Sequence, residues 1–333
     1  MSNLSPSLLA ELNQAIESRH LQSVRGSILE NATECLSLIA GGKDDYAAVG
    51  NTRFGGDPDL PVGMDWPIDP ESDSPRYANF IGQINFAEVP RLPDDDVLPS
   101  AGLLYLFVRY MEGAAEPAVL DAVYDDGDPS NLERRPSPPE ESLCDEYLVD
   151  LCPQRIEFAS GVSIANYRRT FRRFVQKNTE EVDDDDGDMR RILLESDLCR
   201  EGQIGQLLGF ANAGDDRENL YRQLVLAQLG RRQLTYNDYW DSIEEYEAYI
   251  DQWRDDPQMV EMYQEMRPGV EWLTSNRNMI ANLVDQWRLL LRLDSNFEMN
   301  LNINDSDPLY VFIRNDDLKK CDFSQLAGEV TQG

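Results

Sequence analysis

Short apolar segments come in pairs in this chain, and the pairs recur some two hundred residues apart. Residues 80–86 read Phe-Ile-Gly-Gln-Ile-Asn-Phe and 102–109 read Gly-Leu-Leu-Tyr-Leu-Phe-Val-Arg. Near the C-terminus, 289–294 reads Leu-Leu-Leu-Arg-Leu-Asp and 309–314 reads Leu-Tyr-Val-Phe-Ile-Arg. Ile84 aligns with Leu293 and Leu104 with Leu309, at offsets of 209 and 205 residues. Short apolar runs of this kind read as buried strands. Their recurrence limits the architecture more than any other feature, because self-similarity at a fixed period marks repeated structural units. The expectation is an α+β fold: two pseudo-duplicated, antiparallel or mixed β units packed as one body, with 80–109 superposable on 289–314.

With 333 residues, 41% of them hydrophobic, the chain can bury a sizeable core as one large domain or two ordinary ones. Its 30 basic and 62 acidic residues leave a formal charge of −32. That balance argues against nucleic acid, whose phosphates need basic patches, and against anionic membrane surfaces. It favours a basic protein partner through complementary steering fields, or it serves solubility alone. Cysteines stand at 35, 144, 152, 199 and 321, odd in number and without a C-x-x-C pair. This is the usage of reduced thiols in a cytoplasmic protein, and neither a disulfide nor a structural zinc is expected. The first residues lack a basic region followed by an apolar run, and no apolar stretch approaches the ~20 residues that span a bilayer. His20 is the sole histidine, which removes multi-histidine metal sites and, unless His20 itself serves, Ser-His-Asp and Cys-His catalysis. No cofactor and no catalytic residue is assigned.

Ser5-Pro6 reads as a helix start, with Leu8, Leu9, Leu12 and Ile16 on one face. A second helix is expected from about Val24 to Ile39, with Ile28, Leu29, Leu36 and Ile39 as its stripe and Gly41-Gly42 as its end. Residues 1–49 thus read as N-terminal helices and 50–110 as the first β unit. That unit opens on a loop, 50–67, dense in Gly and Pro, which Phe54, Leu60 and Trp66 would pin to the core. One reading makes it a ligand loop, with Arg53 and the Gly55 and Gly56 amides facing an anion. It lacks the spacing of a phosphate-cradling loop, and the other reading is a buried chain crossing held by packing.

The run N-T-R-F-G-G-D-P-D-L-P-V-G-M-D-W-P at 51–67, with F-I-G-Q-I-N-F-A-E-V-P at 80–90 and L-P-S-A-G-L-L-Y-L-F-V at 98–108, resembles the YwqG-like family, a bacterial family of uncharacterised function. The resemblance continues through Gln206–Phe210, Trp287–Asp294 and Tyr310–Phe323. Arg292 stands where the family often has Gln, and Asp307-Pro308 where it often has Gly. The resemblance implies a duplicated α+β fold and no particular reaction.

Residues 111–199 read as an acidic, Pro-rich excursion, with prolines at 117, 129, 136, 138 and 139. Within it Ile156 and Phe158 begin an alternating stretch, and Arg168, Arg169, Arg172 and Arg173 form a basic cluster beside the acidic run 180–188. That run fails as a calcium loop: with Gly187 at position six, Val182 and Leu193 occupy the positions that need carboxylates. Residues 200–333 read as the second β unit, carrying a helical insertion at 217–286. Between Asp238 and Glu265 ten acids face one base, Arg254, with Tyr236, Tyr239, Trp240 and Tyr249 close by. Ile243, Tyr246, Ile250 and Trp253 fall on one helical face there, and Glu244, Glu245, Glu247 and Asp251 on the other. Phe297, Met299, Leu301 and Ile303 alternate with polar residues as a half-buried strand would.

Two function classes follow. The first is a non-enzymatic binding or inhibitory protein that meets a basic partner through Glu244, Glu245, Glu247 and Asp251, neutralisation of a basic toxin being its sharpest form. The alternative is a small-ligand binder or hydrolase of unspecified ligand, with a site between the β units lined by Arg53, Gly55, Gly56, Gln83, Asn85 and Asp294. A pocket joining Arg53, Gln83 and Asp294 favours the second class, a filled interior the first.

Overall fold

Burial on both faces explains the uninterrupted apolar run at 103–108. It forms β5 (Leu103–Tyr110), whose Leu104, Leu106 and Val108 enter one core cluster and whose Leu103, Tyr105 and Phe107 enter another. This strand belongs to a computed structural model that describes residues 4–93, 97–111, 117–165, 193–211, 220–237, 240 and 242–330. The chain divides into two compact units, one of residues 1–211 with 288–333 and one of 212–287.

The first unit is built on a ten-stranded sheet. Its strands are β1 (Ala32–Lys43), β2 (Arg53–Phe54), β4 (Asn79–Asn85), β5, β6 (Val119–Asp125), β8 (Gln154–Ile164), β9 (Gln203–Leu207), β10 (Trp287–Leu293), β11 (Leu309–Arg314) and β12 (Ala327–Val330). They lie in the order β12-β11-β10-β9-β1-β8-β2-β4-β5-β6. The first segment pair of the sequence forms the antiparallel neighbours β4 and β5; the second forms β10 and β11, also neighbours. Ala118, just before β6, bridges Gly328 of β12, with Ala118 N–H donating to Gly328 O at 3.0 Å. The two outermost strands therefore meet, and each covers part of the other's edge. A short second sheet pairs β3 (Asp59–Pro61) with β7 (Leu132–Arg134).

One hydrophobic cluster draws on all ten strands of the main sheet, from Leu36 and Leu38 of β1 through Ile84, Leu104 and Leu207 to Leu291, Val311 and Val330, with Leu120 and Tyr124 of β6 packed against it. Phe54 lies flat over Gly82, and a Cβ there would overlap its ring, so the Gly of Phe-Ile-Gly-Gln-Ile is a packing requirement. Helices α1 (Pro6–Ser18) and α2 (Arg25–Glu30) form a separate layer whose Leu8, Leu12, Ile16 and Ile28 pack with Ile164. Buried Glu34 of β1 accepts the Ser5 N–H at the start of α1. Among the described residues no helix is long and apolar enough to cross a membrane.

Three expectations are corrected. The second helix ends at Glu30, and residues 32–43 form the central strand β1, paired to both β8 and β9. A strand buried on both sides carries apolar residues at every spacing, so Leu36 and Ile39 fitted a helical stripe equally well. The excursion 111–199 is not only surface: it supplies β6, β7 and the central strand β8. Residues 297–303 form no strand. Asn296 accepts Met299 N–H at 2.9 Å, opening a single 3-10 turn, and Asn300 takes the left-handed conformation at φ 55°. Met299, Leu301 and Ile303 are buried, whereas Phe297 is 96% exposed.

The second unit contains α3 (Leu220–Gln228), α4 (Ile243–Asp251), α5 (Pro257–Ser275) and α6 (Arg277–Val284). Its centre is aromatic: Tyr246 and Tyr263 are buried, Trp240 stands edge-on to Tyr246 at 4.6 Å, and Ile243 and Ile250 close the cluster. The basic cluster Arg168–Arg173, the acidic run 180–188, and Asp238 and Asp241 lie outside the described residues.

Candidate functional site

Arg53 and Gln83 face each other across β2 and β4, in register as partners. Both are completely buried, so the charge of Arg53 must be met locally. Its Nη2 lies 3.0 Å from Asp59 Oδ2 and donates to Asp57 O at 2.7 Å. Its Nη1 donates to Asn51 Oδ1 at 3.0 Å and lies 3.5 Å from Asp44 Oδ2. Arg134 of β7 brings a second guanidinium, with Nη2 2.7 Å from Asp59 Oδ1. The Tyr46 ring packs against both cations, its centroid 5.0 Å from Arg53 Cζ and 4.2 Å from Arg134 Cζ. Two cations thus balance the two carboxylates of Asp44 and Asp59.

Gln83 spends its amide on the same knot. Its Oε1 accepts Asp59 N–H at 2.8 Å, and its Nε2 donates to Asn51 O at 2.8 Å and to Asp59 Oδ2 at 3.0 Å. Asn85 ties the next turn, donating from Nδ2 to Gly50 O at 2.7 Å and from its backbone to Thr52 Oγ1 at 3.0 Å. Gly55 and Gly56, both at positive φ, donate their amides to Ile81 O at 2.7 Å and Leu151 O at 2.8 Å. Neither amide is free to face an anion. A cleft of about 170 Å³ beside Gly56 is rimmed by Asp57, Glu140 and Asp150, a wall that repels anions. Asp294 lies elsewhere in the bonding pattern: it accepts Arg292 Nε at 2.6 Å, and no hydrogen bond or ion pair among the described residues joins it to Arg53 or Gln83.

The structure therefore brings Arg53, Gln83 and Asn85 to one loop, 44–59, and uses them to hold it. Sequence reasoning missed Asp44, Tyr46, Asn51, Asp59 and Arg134. Asp59 had a signal, since it sits in the same 50–67 loop as Arg53, and a buried Arg demands a carboxylate. Arg134 had none, being 81 residues from Arg53 in a Pro-rich stretch.

Burial pushes the Asp44 carboxyl up, but the Asn51 amide, the Tyr46 N–H and Arg53 outweigh it and hold the group below the ordinary aspartate range. A folded value below the unfolded one means that the stabilisation is present above about pH 4 and is lost as pH falls through the folded value. Asp44→Asn is expected to flatten the acid limb of a plot of urea midpoint against pH; a limb as steep as that of the wild type would show that Asp44 takes no part in acid unfolding.

His20 is exposed, follows α1 in the left-handed conformation at φ 56°, and donates its N–H to Glu17 O at 3.2 Å, which is a helix-ending role. Burial pushes the Cys35 thiol up to about 12, which leaves it a neutral packing group. Among the described residues no cluster of His, Cys, Asp and Glu is arranged to hold a metal.

On α4 the four acids of the proposed partner face are all exposed. Ser242 caps the helix by accepting Glu245 N–H at 3.1 Å, and Glu244 and Glu245 sit in its first turn, where the helix dipole favours them. Glu247 pairs with Arg267 of α5 at 2.5 Å, and Arg267 reaches Glu271 at 2.8 Å. Trp253, beside Tyr249 at 6.4 Å, is 36% exposed, and Met262 of α5 is 42% exposed.

A comparison with curated proteins gave no match. The sequence pattern of a domain of unknown function, DUF1963, matches residues 52–330, which takes in β2 through β12, the whole of the second unit and most of the first. The chain belongs to the family of that domain of unknown function, DUF1963.

Proposed function

We propose that the protein is a non-enzymatic binding or inhibitory protein that takes a basic protein partner on the acidic face of α4 and the start of α5. The observation that carries this reading is the exposure, on one short stretch, of Glu244, Glu245, Glu247, Asp251, Asp255, Asp256, Glu261 and Glu265, with Trp253 and Met262 partly exposed among them. Charge supplies steering, and the exposed aromatic and thioether supply the anchors that charge alone lacks. The opposing small-ligand reading needs Arg53 and Gln83 to face a ligand, whereas both are spent on the 44–59 loop. The proposal also takes the chain as YwqG-like and cytoplasmic, and its two strand pairs as products of an internal duplication.

The test is a variant carrying Glu244→Gln, Glu245→Gln, Glu247→Gln and Asp251→Asn. It should fold normally, since these side chains are exposed and the Glu247–Arg267 pair contributes under about 1 kcal/mol. Its association rate with the partner recovered by pull-down from the native host should fall well below that of the wild type at low salt. The difference should vanish as the Debye length shrinks from ~10 Å at 0.1 M to ~3 Å at 1 M salt. Equal rates at low salt would reduce the acidic face to a solubility device.

A further inference from the structure

Phe297 is 96% exposed, the largest exposure of any large hydrophobic side chain among the described residues. A single exposed apolar residue is ordinary; its setting here is not. The loop that presents it is bound at several points. Ser295 Oγ accepts Ile303 N–H at 2.8 Å and donates to Asp307 O at 3.0 Å. Asn296 and Leu301 exchange two backbone bonds, at 2.8 and 3.0 Å. Cys152 N–H donates to Met299 O at 2.8 Å, which fixes the loop to the chain just before β8. Three non-glycine residues, Asn300, Asn304 and Ser306, hold positive φ of 55°, 35° and 86°. Backbone cost of this kind persists only where the surroundings enforce it, and it clusters at ligand sites.

Phe297 is also one wall of a concavity of about 330 Å³, completed by Asn300, Leu301, Asn302 and Ser306. That volume falls within the ~300–1,000 Å³ usual for small-molecule sites. The Asn300 and Asn302 carboxamides and the Ser306 hydroxyl have no hydrogen-bond partner among the described residues. Together they offer amide donors, carbonyl acceptors and a hydroxyl around an aromatic face. Among the described residues the lining carries no charged side chain, and Glu298 is exposed beside it, so an anion gains nothing there.

We infer that this loop, 295–307, is a binding site for a neutral saccharide, with the Phe297 ring stacked on the C–H face of a pyranose and Asn300, Asn302 and Ser306 hydrogen-bonded to its hydroxyls. An aromatic platform flanked by neutral carboxamides matches a ring that is apolar on its faces and hydroxylated at its edge. A nucleobase could stack as well, but its phosphate would meet a chain of charge −32. The site shares no residue with the acidic helical face.

The test is saturation-transfer NMR on the full chain with four probes: cellotetraose, maltotetraose, mannotetraose and chitotetraose. At least one should receive saturation from the wild-type protein. Phe297→Ala should weaken that probe by about tenfold or more, the effect of losing a central aromatic anchor, whereas Phe297→Trp should retain it. Asn302→Ala should weaken binding less. Each variant should keep the wild-type urea midpoint, because the side chains are exposed. The proposal is overturned if no probe binds at millimolar concentration, or if Phe297→Ala binds as well as the wild type. It is equally overturned if Phe297→Ala abolishes self-association of the protein while no saccharide binds, which would make the phenyl ring a protein contact.

Discussion

Arg53→Met is expected to lower the stability of the ten-stranded unit by about 3–5 kcal/mol, the usual cost of removing one partner from a buried ion pair. Met retains most of the stem volume, so little of the loss comes from a cavity. What disappears is the cation between two buried carboxylates, Asp59 at 0% and Asp44 at 6% exposure. Asp57 O and Asn51 Oδ1 lose their donors in the same step. Arg53→Lys keeps the charge but cannot reach four acceptors from one nitrogen, so an intermediate loss is expected. Adding Asp59→Asn to Arg53→Met should recover part of the loss, because it removes the stranded charge; two independent sites would instead add their costs. Urea midpoints of the three variants decide the matter. A loss under about 1 kcal/mol for Arg53→Met would show that Arg134 alone neutralises the site, and Arg53 would return as a ligand-binding candidate.

The strands β4, β5, β10 and β11 were legible because each is a short, mostly apolar run. The strands that join them were not. β1 is buried on both faces, so its apolar residues satisfy a helical period as easily as a strand's. β6 is half-exposed throughout and carries Asp121 and Asp125, which made it read as part of an acidic excursion. The polar knot shows the same division. Gln83 announced itself as a polar side chain inside an apolar strand, and Arg53 as a cation in a loop dense in Gly and Pro. Their partners did not, because tertiary pairing selects them: the Arg134 guanidinium donates to Tyr46 O across a separation of 88 residues. The distinction between a ligand residue and a tie for buried backbone lies in those partners, so the sequence left both readings of the 50–67 loop open.

Trp66→Ala is the second large expected effect. Trp66 closes the cluster that covers the outer face of β4 and β5, packing with Leu60, Phe80, Leu103, Tyr105 and Phe107. It is 9% exposed and stands edge-on to Phe107, with centroids 5.4 Å apart at 73°. Its Nε1–H donates to Ala78 O at 2.8 Å. Truncation removes the indole, leaves a cavity between loop and sheet, and strands the Ala78 carbonyl, for a total of about 3–5 kcal/mol. Trp66→Phe keeps most of the ring and loses only the donor, so about 1 kcal/mol is expected there. At roughly 2–4 °C per kcal/mol for a unit of this size, the alanine variant should melt about 6–20 °C lower and the phenylalanine variant only a few degrees lower. The effect should reach beyond the cluster. Tyr105 packs beside Trp66, and its hydroxyl donates to Asp59 O at 2.6 Å, so the apolar cover and the charged knot share one side chain. Loosening the cover should therefore weaken the hold on Asp59, and Trp66→Ala combined with Arg53→Met should cost less than the two losses added together. Strict additivity would show that the loop is pinned at two independent points, and an unchanged melting temperature for Trp66→Ala would show that its cover carries none of the stability.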